Sequence, residues 1–220
     1  DGKWRVSFSA KNISMGNIDW ALQLWRRDGT DVSIHIRYPQ FELGTTPSSY
    51  IPTSGAAATR AAETLVVPAA NMPTYTDAVS IAVKGKMTYA DEDTLAQDIL
   101  YNWNDGTGNN IRSRLYTNAS NTGAIAFGQE VASVSSDAVF GVTQYTPGIN
   151  VPFNIASRHG STFLNGAVSG DVATVNTTMT SIPDLSATAF QIGPTFNGTI
   201  GTVRVWPEDI TDAGIEEASA

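Results

Sequence analysis

The sequence predicts an all-β sandwich, and three observations carry that prediction. Charged residues make up only 15% of the 220 residues, against roughly 25% in an average soluble protein, and Ser, Thr, Asn and Gly supply the polar remainder. Turn signals recur too often for long helices. Between them, apolar and polar residues alternate with the period of two that places one face of a strand in a core. With 41% hydrophobic residues, the chain can bury a sizeable core.

The predicted strands are short runs separated by turns at which a positive φ is favourable. Alternating runs occur at 4–8, 32–36, 111–116 and 202–206. Turn signals occur at Asp28-Gly29, Asn104-Asp105-Gly106, Asn121-Thr122-Gly123, Asn165-Gly166 and Asn197-Gly198. About a dozen such segments fit the chain, as in sandwich folds. One helix is expected, from Thr211 to Ala218, with Thr211 as its cap and Asp212 at the positive end of its dipole.

A proline-rich segment divides the chain. Pro47, Pro52, Pro68 and Pro73 punctuate it, and proline removes the donors that a central strand needs. Residues 1–60 contain seven Lys/Arg and five Asp/Glu, whereas residues 61–220 contain six and sixteen, which suggests two units of different origin. We therefore predict a first module at 1–45, a Pro/Ala-rich linker at 46–75 and a sandwich at 76–220.

Several motifs resemble bacteriophage and prophage virion proteins. Residues 48–62 resemble a linker found in many tail and appendage proteins. Residues 38–44 and 1–8 resemble strands of the carbohydrate-binding-module-like jelly roll that usually precedes that linker. Residues 104–111, 163–166 and 196–207 are similar to turns and strands of concanavalin A-like (laminin-G-like) domains, and 210–217 to their short terminal helix. The segment Trp206-Pro207-Glu208-Asp209 is acidic where many relatives carry arginines.

This resemblance implies a concanavalin A-like jelly-roll β-sandwich preceded by part of a second jelly roll. It also implies a non-enzymatic tail fibre, spike or head fibre at the surface of a phage particle, commonly homotrimeric, whose partners are other virion proteins and host-surface polysaccharide. Residues 1–45 have room for about four strands, whereas a jelly roll needs about eight. We therefore expect partner chains, or sequence upstream, to complete that module.

The sequence offers little for catalysis or for metals. It contains no cysteine, which removes thiolate sites and Cys nucleophiles. Sandwich glycosidases use clustered carboxylates on one strand, and no such run occurs; a solvated loop is the simpler interpretation of Asp91-Glu92-Asp93. His159 is interpreted as a hairpin-end residue, and no spacing offers a zinc site. No cofactor is expected, although Asp91, Asp93 and Asp105 are candidates for a loop calcium.

A sugar site is the remaining candidate, because planar amides bond to hydroxyl groups and an aromatic ring stacks on the apolar sugar face. The segment 101–110 concentrates these groups. The candidate residues are Asn102, Trp103, Asn104, Asp105, Asn109, Asn110 and Arg112. The alternative is that Trp103 belongs to the core and the amides only build a turn.

The sequence therefore supports glycan contact at the virion surface, with two alternatives: a purely structural decoration or joint module, and a polysaccharide depolymerase. The net charge of −8 argues against nucleic acid, whose binders carry a basic patch. Membrane insertion is not expected either, because no stretch of about 20 apolar residues exists.

Overall fold

A computed structural model describes Val6 and residues 35–42, 48–59, 63, 65–89, 97–117, 121–140 and 143–220, except for the side chains of 135–140. The chain divides into two compact units, Asp1–Ala61 and Ala62–Ala220. The predicted first module at 1–45 lies outside the described residues apart from Val6 and 35–42.

In the first unit, local contacts join the described pieces. The rings of Tyr38 and Tyr50 lie 5.0 Å apart, and the Gln40 side-chain oxygen accepts a 2.7 Å hydrogen bond from the Ile51 N–H. Residues 48–59 contain neither helix nor strand. This is the part of the chain where the prolines predict an extended connector.

The second unit is a β-sandwich. Its described residues form eleven strands and one α-helix. These are β1 (Leu65–Val67), β2 (Ala78–Tyr89), β3 (Gln97–Asn104), β4 (Asn110–Tyr116), β5 (Ile125–Val131), β6 (Val134–Phe140), β7 (Gly148–Gly160), β8 (Leu164–Val168), β9 (Asp171–Val172), β10 (Phe190–Ile192), β11 (Gly198–Trp206) and α1 (Thr211–Ser219). A single 3-10 turn spans Ala69–Asn71.

The strands form two antiparallel sheets. The six-stranded sheet has the order β1-β10-β3-β4-β5-β6, and the five-stranded sheet has the order β11-β2-β7-β8-β9. Neighbouring strands far apart in the sequence, such as β10 and β3 or β11 and β2, are characteristic of jelly rolls. The predicted jelly-roll β-sandwich is confirmed.

The core lies between the two sheets, as the alternation predicts. In β4, Ile111, Ser113 and Leu115 are buried while the residues between them face outward. The largest fully buried side chains are Trp103, Tyr101, Phe127, Phe153 and Phe190. Aromatic rings dominate because two sheets stand about 10 Å apart, a gap that large side chains fill.

The sandwich begins earlier than the predicted residue 76. β1 pairs with β10, with Val66 opposite Gln191, and the Tyr75 ring lies 5.4 Å from that of Trp103. These contacts place 65–75 in the second unit rather than in a linker. Pro68 directly follows β1 and Pro73 lies between β1 and β2, so neither proline interrupts a strand, where its missing donor would be unfavourable.

The outer face of the five-stranded sheet is closed by α1. Ile215 of the helix is buried against Ala82, Ala156 and Ala167, one from each of β2, β7 and β8. The predicted helix is therefore confirmed, but its cap is different. Ile210 occupies the N-cap position, and no side chain caps the helix.

One further expectation requires correction. Asn165-Gly166 is not a turn but lies within β8, and the hairpin from β7 turns at 161–163 instead. Gly166 is needed there because an added Cβ would stand 2.1 Å from the Phe127 ring. His159 stands near the hairpin end of β7, as interpreted, and its side chain is fully buried.

Candidate functional site

Two pairs of predicted site residues are neighbours on the six-stranded sheet. Asn102 of β3 stands opposite Arg112 of β4, and Asn104 stands opposite Asn110. Because side chains alternate along a strand, and the core-facing residues are Trp103 and its neighbours across the pair, all four point outward. The candidate site is therefore the outer face of this sheet, not a loop at the sandwich end.

A third strand extends this face. Gln191 of β10 is the partner of Asn102, and Gly128 of β5 is the partner of Arg112. We call Gln191, Asn102, Arg112 and Gly128 the amide–arginine row. Strand spacing of about 4.8 Å makes the two amides and the guanidinium a series of polar groups roughly 10 Å long, and the Arg112 stem lies across Gly128 at one end.

In the second predicted pair, Asn104 is exposed but Asn110 is not accessible to a ligand. Asn110 is only 3% exposed, and its amide donates a 2.7 Å hydrogen bond to Glu130 Oε2. The same carboxylate oxygen lies 3.8 Å from Arg112 Nη2. Asn110 and Glu130 therefore position Arg112 from the side. The expectation that Asn110 itself contacts a ligand is corrected, because its amide is buried.

Two residues that the sequence prediction missed share the outer face with Arg112. Arg114 donates from Nη1 to Gln97 Oε1 at 3.0 Å, and its guanidinium carbon lies 5.6 Å from the centre of the Tyr116 ring. The alternation of 111–116 already places both beside Arg112, so this signal was available. Gln191 could not be found in this way, because only the pairing of β10 with β3 brings it there.

The loop that the sequence prediction emphasised is a self-bonded turn. The Asp105 carboxylate accepts hydrogen bonds from the side chains of Thr107 and Asn109, both at 2.7 Å, and from their backbone N–H groups at 2.7 and 3.2 Å. The bonds from Asn109 and Thr107 hold the pKa of Asp105 well below its usual range. Asn109 Oδ1 in turn accepts from the Ala132 N–H at 2.9 Å. Asp105 and Asn109 thus build the turn.

Trp103 belongs to the core. Its side chain is 0% exposed, its Nε1–H donates to the Thr188 carbonyl at 2.9 Å, and its ring meets Phe190 edge-on with centroids 5.9 Å apart. The expectation of a Trp103 ring stacked on a sugar is therefore wrong, because the alternation that places Asn102 outside places Trp103 inside.

The sandwich interior contains three polar side chains joined by hydrogen bonds, and two of them, a serine and a histidine, resemble a catalytic pair. Ser157 Oγ lies 3.0 Å from His159 Nε2 and 2.6 Å from the Tyr101 hydroxyl. All three residues are fully buried, so a substrate has no access to them. Burial lowers the pKa of His159 to about 3 and raises the pKa of Tyr101 beyond its usual range, so both are neutral.

The metal candidates do not converge on a site. No group of three or more His, Asp or Glu side chains that could hold an ion occurs in the described part of the chain. Asp91 and Asp93 lie outside the described residues. The calcium expectation for these two residues stays a prediction.

One open groove of about 390 Å³ lies beside Tyr75 and Asp184. The Tyr75 hydroxyl donates to the Pro183 carbonyl at 2.6 Å and accepts from the Leu185 N–H at 3.3 Å. The Tyr75 hydroxyl is therefore already bonded both as a donor and as an acceptor, and it offers no unpaired polar group to the groove. In the described residues, no helix has the length and apolarity that crossing a membrane requires.

Comparisons with known proteins agree on the fold. No family model matches the chain, and no curated protein sequence matches it. Solved structures do match. The binding domain of botulinum neurotoxin serotype D superposes with a TM-score of 0.53 at 9% identity, over 72% of this chain and 40% of the toxin chain.

Two further matches are domains of sialic-acid enzymes. CBM40 of the Ruminococcus gnavus IT-sialidase, solved with α2,6-sialyllactose, superposes with a TM-score of 0.50 at 12% identity, over 66% of this chain and 85% of that one. The leech intramolecular trans-sialidase superposes with a TM-score of 0.50 at 15% identity, over 66% of this chain and 23% of that one. At such identities the likeness shows a shared jelly-roll fold.

Proposed function

We propose that this chain is a non-enzymatic, glycan-binding module of a phage virion appendage, and that its sugar contact is the outer face of the six-stranded sheet. The observation that carries the proposal is the amide–arginine row, in which Gln191, Asn102 and Arg112 stand side by side on three strands. Planar amides and guanidinium groups at strand spacing match the successive hydroxyls of an oligosaccharide.

The chemistry of the same face argues for binding rather than cleavage. Glycoside hydrolysis needs two carboxyl groups roughly 5–9.5 Å apart. Among the described outward residues of β3, β4, β5 and β10, Glu130 is the one carboxylate, and it already bonds to Asn110 and lies beside Arg112. The solved structures of similar fold include a domain described as bound to sialyllactose, which supports a sugar ligand for this architecture.

The virion assignment rests on the linker and jelly-roll motifs of the sequence. A virion appendage acts at the particle surface, where a two-unit chain would join other virion proteins through one unit and reach host polysaccharide through the other. We propose the homotrimer common in such appendages. Light scattering on the purified chain tests it, and a stable monomer at micromolar concentration would contradict it.

A glycan array of bacterial surface polysaccharides tests the function. The wild-type chain is compared with Asn102→Ala, Arg112→Gln and the matched control Arg204→Gln, whose arginine is exposed on β11 of the other sheet. We expect Arg112→Gln to bind about tenfold or more weakly, since a hydrogen bond to a charged group contributes about 1.5–3 kcal/mol, and Asn102→Ala to bind roughly twofold to tenfold more weakly, since a neutral one contributes about 0.5–1.5 kcal/mol. Arg204→Gln should bind like wild type.

The same array separates the alternatives. A purely structural decoration or joint module would bind no glycan on the array. A depolymerase would release new reducing ends when incubated with the polysaccharide that it binds. If all three variants bind as well as wild type, the glycan contact does not lie on this face.

A further inference from the structure

Two arginines of β4 lie on the outer face without a full set of acceptors. Arg112 and Arg114 are separated by one residue, so their side chains leave the sheet on the same side, roughly 7 Å apart along the strand. The Nε atoms of both are buried and have no hydrogen-bond partner. Because these Nε atoms are buried, a ligand cannot reach them, and the donors left for an acceptor are the Nη groups of side chains that stay partly exposed, 28% for Arg112.

The local charge around this arginine pair is positive. Its carboxylate neighbour, Glu130, stands 3.8 Å from Arg112 and also accepts from Asn110. Arg114 forms no ion pair with any residue that the structure describes, and its hydrogen-bond acceptor is the neutral amide of Gln97. Burial and the charge of Arg112 both lower the pKa of Arg114. Among the described outward side chains of β4 and β5, two guanidinium groups therefore stand beside one carboxylate.

The neighbouring strand presents small residues opposite the pair. Gly128 and Ala126 of β5 stand opposite Arg112 and Arg114, and both are buried, while Glu130 is the larger side chain that β5 sends to this face. A Cβ added at Gly128 would stand 3.5 Å from Cγ and Nε of Arg112, which shows that the arginine stem lies flat across the glycine. The guanidinium groups therefore lie low over the sheet.

We infer that the arginine pair binds the carboxylate of an acidic sugar, while Asn102 and Gln191 hold hydroxyl groups of the same glycan. Guanidinium groups suit carboxylates because their N–H donors form parallel, charge-assisted bonds. The inference rests on the proposed glycan function and names its ligand class as carboxylated polysaccharide. A sulfated sugar carries similar charge but presents tetrahedral oxygens, so the experiment must distinguish the two.

The test uses an array on which each carboxylated bacterial polysaccharide is printed beside its carboxyl-reduced form, together with sulfated and unsulfated dextran. For the full chain we expect binding to weaken about tenfold to a hundredfold on carboxyl reduction, the range given by charged hydrogen bonds. Arg114→Gln should abolish most of that difference between the carboxylated and the carboxyl-reduced forms. Arg204→Gln should retain the full difference. Sulfated dextran should bind less than the carboxylated glycans.

The outcomes are distinguishable. Equal binding to both forms of a polysaccharide would overturn the carboxylate inference and leave the glycan function in place. Stronger binding to dextran sulfate than to every carboxylated glycan would also overturn it. Binding to no glycan would reject the proposed function itself. Because Arg114→Gln could unfold the chain, the thermal melting of each variant is measured as well. The comparison of wild-type binding to the carboxylated and the carboxyl-reduced polysaccharide needs no variant.

Discussion

The two outer faces of this sandwich are built by the same strand alternation but carry different side chains. A helix covers one face, and polar side chains occupy the other. On the five-stranded sheet, the outward positions include Ala82, Ala156 and Ala167, and a helix buries them through Ile215. On the six-stranded sheet, the described outward positions include amides and arginines. A methyl group lets a helix approach closely, whereas an amide or guanidinium must keep a polar partner.

The difference shows what a sheet needs in order to present a site. The helix-covered face has small side chains where the helix packs. Its polar residues bond to carboxylates just before and at the start of the helix. Arg158 bonds to Asp209 at 2.9 Å and to Asp212 at 2.8 Å, and the Asn165 amide donates to Asp212 at 2.7 Å. The other face leaves the Nε atoms of Arg112 and Arg114 without acceptors. The polar groups of the helix-covered face are thus bonded within the fold, whereas those of the other face are incompletely bonded.

The strongest test of this inside–outside division uses two adjacent residues of β3. Trp103→Ala should cost about 3–5 kcal/mol, which lowers the melting temperature by roughly 6–20 °C in a domain of this size. Its neighbour Asn102→Ala should melt within about 2 °C of wild type, as surface changes do. Circular dichroism melts measure both. Near-identical melting of the two variants would return Trp103 to the surface.

The helix-covered face is tested by Ile215→Ala. Removing this fully buried side chain leaves a cavity over the alanines and should cost about 2–4 kcal/mol. Ile149→Ala is the matched control, because Ile149 is 56% exposed and its truncation should cost less than about 0.5 kcal/mol. Denaturant unfolding compares the two. If Ile215→Ala is as stable as the control, the helix is not a required cover.

The burial of His159 between the two sheets predicts that the stability of the fold depends on pH. Burial lowers its folded pKa to about 3, whereas the unfolded chain titrates near 6.5. The unfolded state therefore binds more protons between these values, and stability falls as the pH drops through this window. Between pH 7 and pH 5 the loss is about 2 kcal/mol.

The variant His159→Gln should lose that slope, whatever its absolute stability. Asp105 and Asp184, whose hydrogen bonds lower their pKa values, add acid sensitivity only below about pH 4, so the range from pH 7 to pH 5 isolates the histidine. Unfolding free energies at several pH values measure the slope. An unchanged slope in the variant would assign the effect to other groups.

The smallest effect is expected at the β3–β4 turn. Asp105→Ala removes the acceptor of the four bonds from Thr107 and Asn109 and should lower the melting temperature slightly, because the turn is exposed. If Asp105 only builds the turn, glycan binding through the amide–arginine row should persist. A loss of binding with unchanged melting would instead make the turn part of the contact.

Much of this protein could be predicted from local sequence. The alternation of 111–116 and 202–206 determined β4 and the end of β11, because one wet and one buried face require a period of two. The same rule placed Arg112 on a strand, whereas Asn102 and Asn104, predicted to lie in a loop, belong to β3. The helix at the C-terminus was predictable from its composition. Its cap was not, since Thr211 donates its N–H to Asp209 instead of capping the helix, and the Ile210 N–H donates to Ser80 of β2.

The tertiary structure alone decided which of those residues form a site. Whether Trp103 or Asn102 faces solvent depends on which side of the strand the second sheet packs, and a one-residue shift exchanges the two faces. Gln191 joins Asn102 only because β10 pairs with β3, and Gly166 lies in a strand only because Phe127 packs against it. Periodicity is a local property of the chain, whereas pairing partners and the buried side of a sheet depend on contacts between residues far apart in sequence.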